Sequence, residues 1–238
     1  MTHLTFPNET AEYRSARNAL LAEEIALRKQ IESVAARRRG LPLGGVIPED
    51  YVFERIGEHL RPEKVPMSKL FEPHNTLILY SFMYGPERDL PCPMCTHLLD
   101  SVNGAASHVR QRAALYVVAK SPIARLVAWA RARGWAHLNF LSTAGDRYNA
   151  DYFGDTSNVP EPILQSWRVK KGEIRDETMF NVFRLHKGSV HHFWGSELTW
   201  APMEPSQHHR SGDAANALWG LLDMTPEGRG EFIPKLQY

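Results

Sequence analysis

Residues 77–104 read LILYSFMYGPERDLPCPMCTHLLDSVNG, and this stretch decides the fold. Its first seven residues form a nearly continuous apolar run, rich in aromatic and branched side chains. That pattern suits a strand buried on both faces. A loop carrying Gly85, Pro86 and Pro91 follows. Leu98, Leu99, Val102 and Val109 then recur at helical spacing and predict a helix from about Cys92 to Gln111. The chain's two cysteines, Cys92 and Cys95, therefore stand at the opening of a helix, with a proline on each side of the first. Three explanations compete: a redox pair, half of a metal site, or an accident of composition.

Working outward, residues 9–39 read as one long helix. Asn8 is its expected cap, Glu9 and Glu12 charge the first turn, and Arg37, Arg38 and Arg39 complement the carboxyl end. Leu20, Leu27, Ile31 and Val34 line one face, which must lie on the main domain or on a partner subunit. Residues 41–48 (LPLGGVIP) read as a linker. YVFERI (51–56) reads as a first strand, ALYVVA (114–119) as a buried one and AHLNFLS (136–142) as a third. Between the last two lies a helix with Ser121 as cap and Pro122 at its first position, ending at Gly134. The order from 77 to 142 is thus β-loop-α-β-α-β, which implies parallel strands with right-handed crossovers. Residues 143–177 read as a long, mostly irregular excursion. MFNVFRLHKGSVHHFWG (179–195) predicts a hairpin turning at Lys187–Gly188, and a last helix is expected over about 211–223.

This layout is that of a thioredoxin-type domain. A thiol at a helix amino terminus meets unpaired backbone N–H groups and the positive end of the dipole. Those groups favour thiolate and lower its pKa from about 8.5 toward neutrality or below. Cys92 is the expected nucleophile. Cys95, one turn further on and deeper, is the expected resolving thiol. Pro93 needs no N–H in a first turn, and with Met94 it completes C-P-x-C, a spacing also seen in glutaredoxins and bacterial disulfide-forming enzymes. The direction of exchange is not written in these four residues.

Rival chemistries find less support. Haem attachment needs His directly after the second Cys, where Thr96 stands. Zinc needs four ligands, and only Cys92, Cys95 and His97 are near one another in sequence; His191, His192, His208 and His209 read as surface or turn residues. A peroxiredoxin-type site needs Thr or Ser three residues before its reactive Cys and Pro four before that. Here those positions are Asp89 and Gly85. No nucleophile elbow, P-loop or dinucleotide fingerprint occurs, and GDRYNADYFGD (145–155) does not match a calcium loop.

The 238 residues carry 28 Lys+Arg against 27 Asp+Glu, a formal net charge of +1. That balance offers no electrostatic footprint for nucleic acid. No secretory signal and no apolar run of about 18 residues is evident, so a cytosolic protein is expected, with no membrane partner. In that compartment a close Cys pair reads as catalytic, redox-sensing or metal-binding rather than as a passive staple.

The chain resembles the bacterial thioredoxin-like family known as domain of unknown function 899, often labelled predicted dithiol-disulfide oxidoreductases. The resemblance is carried by the amino-terminal helix, FMYGP (82–86), CPMC followed by Asp100 and the NG of 103–104, SPIARLVAWARARGW (121–135) and LLDMTPEGR (221–229). It implies an α/β thioredoxin-like fold, a central mixed sheet flanked by helices, with a helical extension and linker over 1–45 and the main domain over 46–238. The implied function is thiol-disulfide exchange by Cys92 and Cys95, without a cofactor; the alternative is a non-catalytic binding or redox-sensing module. The implied partner is a disulfide or dithiol, protein or small molecule, with dimerisation through the first helix. Thioredoxins place a cis-proline just before the terminal hairpin, facing the thiols. Here that position falls near ETMF (177–180), so Thr178 or Met179 occupies it, with a trans bond expected. Pro93, Met94, Thr178 and Met179 are accordingly the expected substrate-binding residues.

Overall fold

The computed structural model describes residues 4–170, 172–205 and 207–237. Residues 1–3 of the expected extension and Lys171 of the excursion lie outside them. The chain divides into two compact units, Met1–Pro42 and Leu43–Tyr238.

The first unit is a single helix, α1 (Ala11–Arg39). Its cap is Thr10 and not Asn8: the Thr10 hydroxyl accepts from the Tyr13 N–H at 3.1 Å, while Asn8 takes a left-handed φ of 59° in the turn before it. Arg37, Arg38 and Arg39 occupy the last turn, and the Gly40 N–H closes it on the carbonyls of Ala36 and Arg37. Leu20, Leu27, Ile31 and Val34 are exposed.

The second unit is built on β1 (Val52–Ile56), β2 (Pro62–Pro66), β3 (Thr76–Ser81), β4 (Ala114–Ala119), β5 (Phe140–Ser142), β6 (Met179–His186) and β7 (Ser189–Gly195). These described strands form one sheet in the order β2-β1-β5-β4-β3-β6-β7. β3, β4 and β5 run parallel, whereas β6 is antiparallel to β3 and β7 to β6. The crossovers are α2 (Pro93–Val109) and α3 (Ile123–Arg133). Short helices α4 (Tyr148–Asp151), α5 (Glu161–Ser166) and α6 (Ala217–Leu222) complete the unit. The β4-β3-β6-β7 core with α2 leaving β3 is the thioredoxin arrangement, extended by β5 and by the β1–β2 hairpin.

Alternation along β3 explains both layers of core. Tyr80 faces one side with Leu99, Val117, Ile123, Leu126 and Trp135. Leu77 and Leu79 face the other with Phe53, Met67, Val118, Tyr148 and Phe183. Lys187 and Gly188, at φ of 49° and 81°, supply the two left-handed residues of the β6–β7 turn.

Four local expectations change. PEKVP (62–66) forms an unforeseen edge strand, which tolerates its prolines because one side needs no ladder bonds. Residues 44–47 are not a free linker: Gly44 and Ile47 donate to His192 and Val190 carbonyls along β7, each at 3.0 Å. The excursion contains α4 and α5. Finally, the expected helix over 211–223 breaks at Asn216, whose extended backbone separates a 3₁₀ turn from α6 and whose side chain caps Leu218 N–H at 3.2 Å.

Two clamps hold the thiol-bearing helix in place. Asp100 of α2 accepts a bidentate pair from Arg133 of α3, at 3.0 and 2.7 Å, and the indole N–H of Trp135 at 2.7 Å. Arg125 of α3 lies 4.3 Å over the Tyr84 ring. It donates to the carbonyls of Gly85, Pro86 and Asp89 at 3.3, 3.4 and 3.0 Å, and also to that of Arg88. One guanidinium thus fixes the loop that delivers Cys92. Arg125→Ala is expected to lower unfolding stability by about 2–4 kcal/mol, through lost charge-assisted bonds and ring contact. Arg125→Lys should recover less than half, because a point charge cannot serve several carbonyls in one plane. Denaturant unfolding of the three proteins checks this; a Lys variant as stable as the parent would contradict it.

Candidate functional site

The pairing with β4 continues one bond beyond the end of β3 at Ser81. Phe82 N–H still bonds to Val118 carbonyl at 2.8 Å, and the chain then turns outward through Met83. Cys92 returns to that point, its N–H donating to Met83 carbonyl at 3.1 Å. It is the N-cap residue of α2 in extended conformation (φ −61°, ψ 125°), with Pro93 as the first helical residue. Thr96 locks the turn: its N–H and hydroxyl both bond to Cys92 carbonyl, at 3.0 and 2.9 Å. Cys92 is half-buried and Cys95 fully buried. Both are free thiols.

The two sulfurs differ sharply in acidity. The Cys92 pKa is lowered to about 6. Its largest cause is the hydrogen bond from the Cys95 thiol; burial opposes it, and the N–H groups of Cys95 and Met94 and the charge of Arg88 add to it. The helix terminus therefore contributes as expected from the sequence, but the neighbouring thiol contributes more. Cys95 is pushed well above the ordinary thiol range by donating that bond, by burial and by the charge on Cys92. The Tyr80 hydroxyl and Met83 N–H act on Cys95 in the opposite sense. Tyr80 in turn interacts with Thr178, so a polar chain runs from Thr178 through Tyr80 and Cys95 to Cys92.

Thr178 occupies its place because of register. Tyr80 pairs with Phe180 and Ser81 with Met179, which puts Thr178 and Phe180 on the α2 face of the sheet. Met179 points to the opposite face, where it is buried and receives the Ser196 hydroxyl at 3.4 Å. Among the described residues the one cis peptide is Glu72–Pro73, so the bonds flanking Thr178 are trans. A cavity of about 460 Å³ opens beside the sulfurs, lined by Cys92, Cys95, Met94, Thr178, Tyr80 and Glu177 among others. Of the expected substrate-binding residues it brings together Met94 and Thr178; Pro93 and Met179 do not line it.

Glu177 was not foreseen. The residue is 8% exposed. Burial pushes its pKa up to about 7; Arg175 and Arg88 pull it down, while the Cys92 and Asp176 charges push it further up. The excursion holds it there. Gly154 carbonyl receives Glu177 N–H at 2.9 Å, Thr156 and Arg175 bond beside it, and Asp155 bridges to Asp176. Lys120, at the end of β4, grips Asp155 at 2.7 Å and Asp176 at 3.1 Å. Sequence offered only one faint signal, a carboxylate next to the thioredoxin-type hairpin position.

Among the described residues no group of three or more His, Cys, Asp or Glu side chains is placed to hold a metal ion. His97 Nδ1 lies 3.1 Å from the Asn216 amide. His191 meets Gly44 carbonyl, and His192 meets Asn181. No described helix is long and apolar enough to cross a membrane.

A profile of the family described as bacterial protein of unknown function (DUF899) matches residues 3–237, so the chain belongs to that family. A search of curated proteins finds no match. Similar solved structures include reduced Prx3 in complex with hydrogen peroxide from Vibrio vulnificus, 12% identical, covering 74% of this chain and 99% of that one at a TM-score of 0.42. Another is the peroxidoxin BcpB from Mycobacterium tuberculosis, 14% identical, covering 74% and 95% at a TM-score of 0.43.

The raised pKa of Glu177 has a consequence for stability. The unfolded carboxyl loses its proton near 4.5, whereas the folded one keeps it to about 7. Stability is therefore full below the lower value and is lost as pH rises through the upper one. Glu177→Gln cannot ionise. Relative to the parent it should gain roughly 2–3 kcal/mol between about pH 4 and pH 8. Urea unfolding at both pH values measures this, and a pH-independent difference would contradict it.

Proposed function

We propose that the protein is a thiol-disulfide oxidoreductase in which Cys92 is the nucleophile and Cys95 the resolving thiol. The observation that carries this reading is a half-buried Cys92 at the mouth of α2 with the fully buried Cys95 one turn behind it, one acidity lowered and the other raised. A vestigial or purely sensing pair would have no need of that division, which favours exchange over a non-catalytic module.

In the reductive direction the Cys92 thiolate attacks one sulfur of a substrate disulfide. The substrate S–S bond breaks, a Cys92 mixed disulfide forms, and the departing thiolate takes a proton from the Glu177 carboxylic acid. Cys95 then loses its proton to the Glu177 carboxylate and attacks the Cys92 sulfur. The second substrate thiolate departs and is protonated from solvent. Two electrons have passed from the dithiol to the substrate, leaving a Cys92–Cys95 disulfide; a dithiol reductant returns the pair to its starting state. Disulfide formation is the same sequence reversed. Tyr80 positions Cys95, and Thr178 positions Tyr80. A carboxyl with a pKa near 7 suits a group that gives and takes a proton at neutral pH.

Two substitutions separate the roles. Cys92→Ser should lower disulfide reduction by at least about a hundredfold. Cys95→Ala should complete only the first half-reaction and accumulate a covalent adduct on Cys92, read by intact-protein mass spectrometry. Exchange persisting in Cys92→Ser would contradict the assignment.

A further inference from the structure

The dithiol occupies one end of a larger space, and the rest of that space has its own chemistry. The cavity of about 460 Å³ falls within the ~300–1,000 Å³ typical of small-ligand pockets. Its walls come from distant parts of the chain: Leu98 from α2, Phe180 from β6, Trp167 after α5, Trp219 from α6, and Phe232 with Ile233 from the carboxyl-terminal segment. Trp167 is itself braced against Trp200, ring centroids 4.7 Å apart. Aromatic and aliphatic side chains on several sides favour an apolar guest.

The charges lining the cavity are equally informative. Arg229 and Arg210 both line it, yet each is already held by the same two aspartates. Arg229 lies 2.9 Å from Asp213 and is also paired with Asp223. Arg210 lies 3.2 Å from Asp213 and 2.9 Å from Asp223. His209 uses one ring nitrogen on Thr199 carbonyl and the other on the Ser211 hydroxyl. Both lining arginines are thus already paired, burial holds the lining His97 toward its neutral form, and Glu177 and Glu231 also line the space. An anionic guest would lose its hydration without gaining a counter-charge.

We propose that this cavity is the substrate pocket and that it takes a low-molecular-weight disulfide with uncharged, apolar, preferably aromatic substituents. The proposal rests on the thiol-disulfide reading above for its chemistry, but the pocket's preference is testable apart from it. The bound disulfide lies with one sulfur at Cys92, its substituents between Phe180, Trp167 and Trp219. The reaction is the balanced exchange already given: the dithiol is oxidised, the guest's S–S bond is cleaved, and two apolar thiols are released.

Two measurements test it. Dibenzyl sulfide, which has no S–S bond, is titrated into a Cys92→Ser/Cys95→Ser double variant and followed by tryptophan fluorescence. Saturable binding is expected, at least tenfold tighter than for the dicarboxylate of the same thioether. It should be weakened severalfold by Trp167→Ala and by Ile233→Asp; the second site is 68% exposed, so its change does not threaten the fold. In single turnover the reduced protein is mixed with dipyridyl disulfide, dithiobis(nitrobenzoate), glutathione disulfide or a disulfide-bonded protein. Each rate is divided by that for dithiothreitol, and the uncharged aryl disulfide should exceed each of the others at least tenfold. Absence of saturable thioether binding, or parity between uncharged and anionic guests, overturns the proposal. Faster reduction of the protein disulfide also overturns it, while leaving the dithiol reading intact. Selective binding with no Cys92-dependent reduction of any disulfide overturns the exchange chemistry, and with it the guest's role as substrate.

Discussion

The unequal sharing of one proton between the Cys92 and Cys95 sulfurs is the interaction on which this account depends. Two sulfurs in a poorly solvated corner cannot both ionise, so they share a proton unequally. The outer sulfur, nearer solvent and capped by the N–H groups of Met94 and Cys95, carries the charge. The inner one, fully buried and next to Tyr80, keeps the proton. That asymmetry separates a first attacking group from a second one. It requires only that the α2 terminus, the Met83 corner and Tyr80 of β3 stay in register.

The stretches that carry the family resemblance turn out to guard that register. The Asp100 after CPMC and the Arg133 and Trp135 of SPIARLVAWARARGW are one hydrogen-bonded cluster tying α2 to α3. Arg125 in the same stretch grips the GP of FMYGP and the residues beyond it. Asn103 of the NG pair receives His137 N–H at 3.0 Å. Asp223 and Arg229 of LLDMTPEGR close the carboxyl-terminal segment over the Trp219 ring. The motif residues are thus mostly structural, and the groups among them that we propose to react are the two sulfurs. The buried Glu177 carboxyl lies outside all of these stretches. It is tolerated at neutral pH because it is roughly half protonated there, and the Lys120–Asp155–Asp176 cluster next to it keeps the segment from drifting away.

Much of this was legible in the sequence for a plain reason. β3 and β4 are apolar runs flanked by turn residues, the β6–β7 turn has a Gly at a position requiring positive φ, and α2 starts at a Pro that fits only a first turn. Each local preference agrees with its tertiary setting. What escaped depends on distant contacts. PEKVP has little strand propensity and pairs because β1 offers it an edge. Asn216 looks like any polar residue in an amphipathic run, and breaks the helix because its side chain is used as a cap. Met179 and Thr178 were interchangeable candidates until the pairing of Ser81 with Met179 set which face each takes. Glu177 needed two remote segments to bury it, and no local pattern encodes that.

The most direct test is the rate of Cys92 alkylation by iodoacetamide in the reduced protein, followed against pH by peptide mass spectrometry. The account predicts a half-point near pH 6, moving upward in Cys95→Ala as the principal hydrogen bond to the sulfur is lost. A half-point near that of a free thiol, about 8.5, or one that Cys95→Ala leaves unmoved, would contradict it.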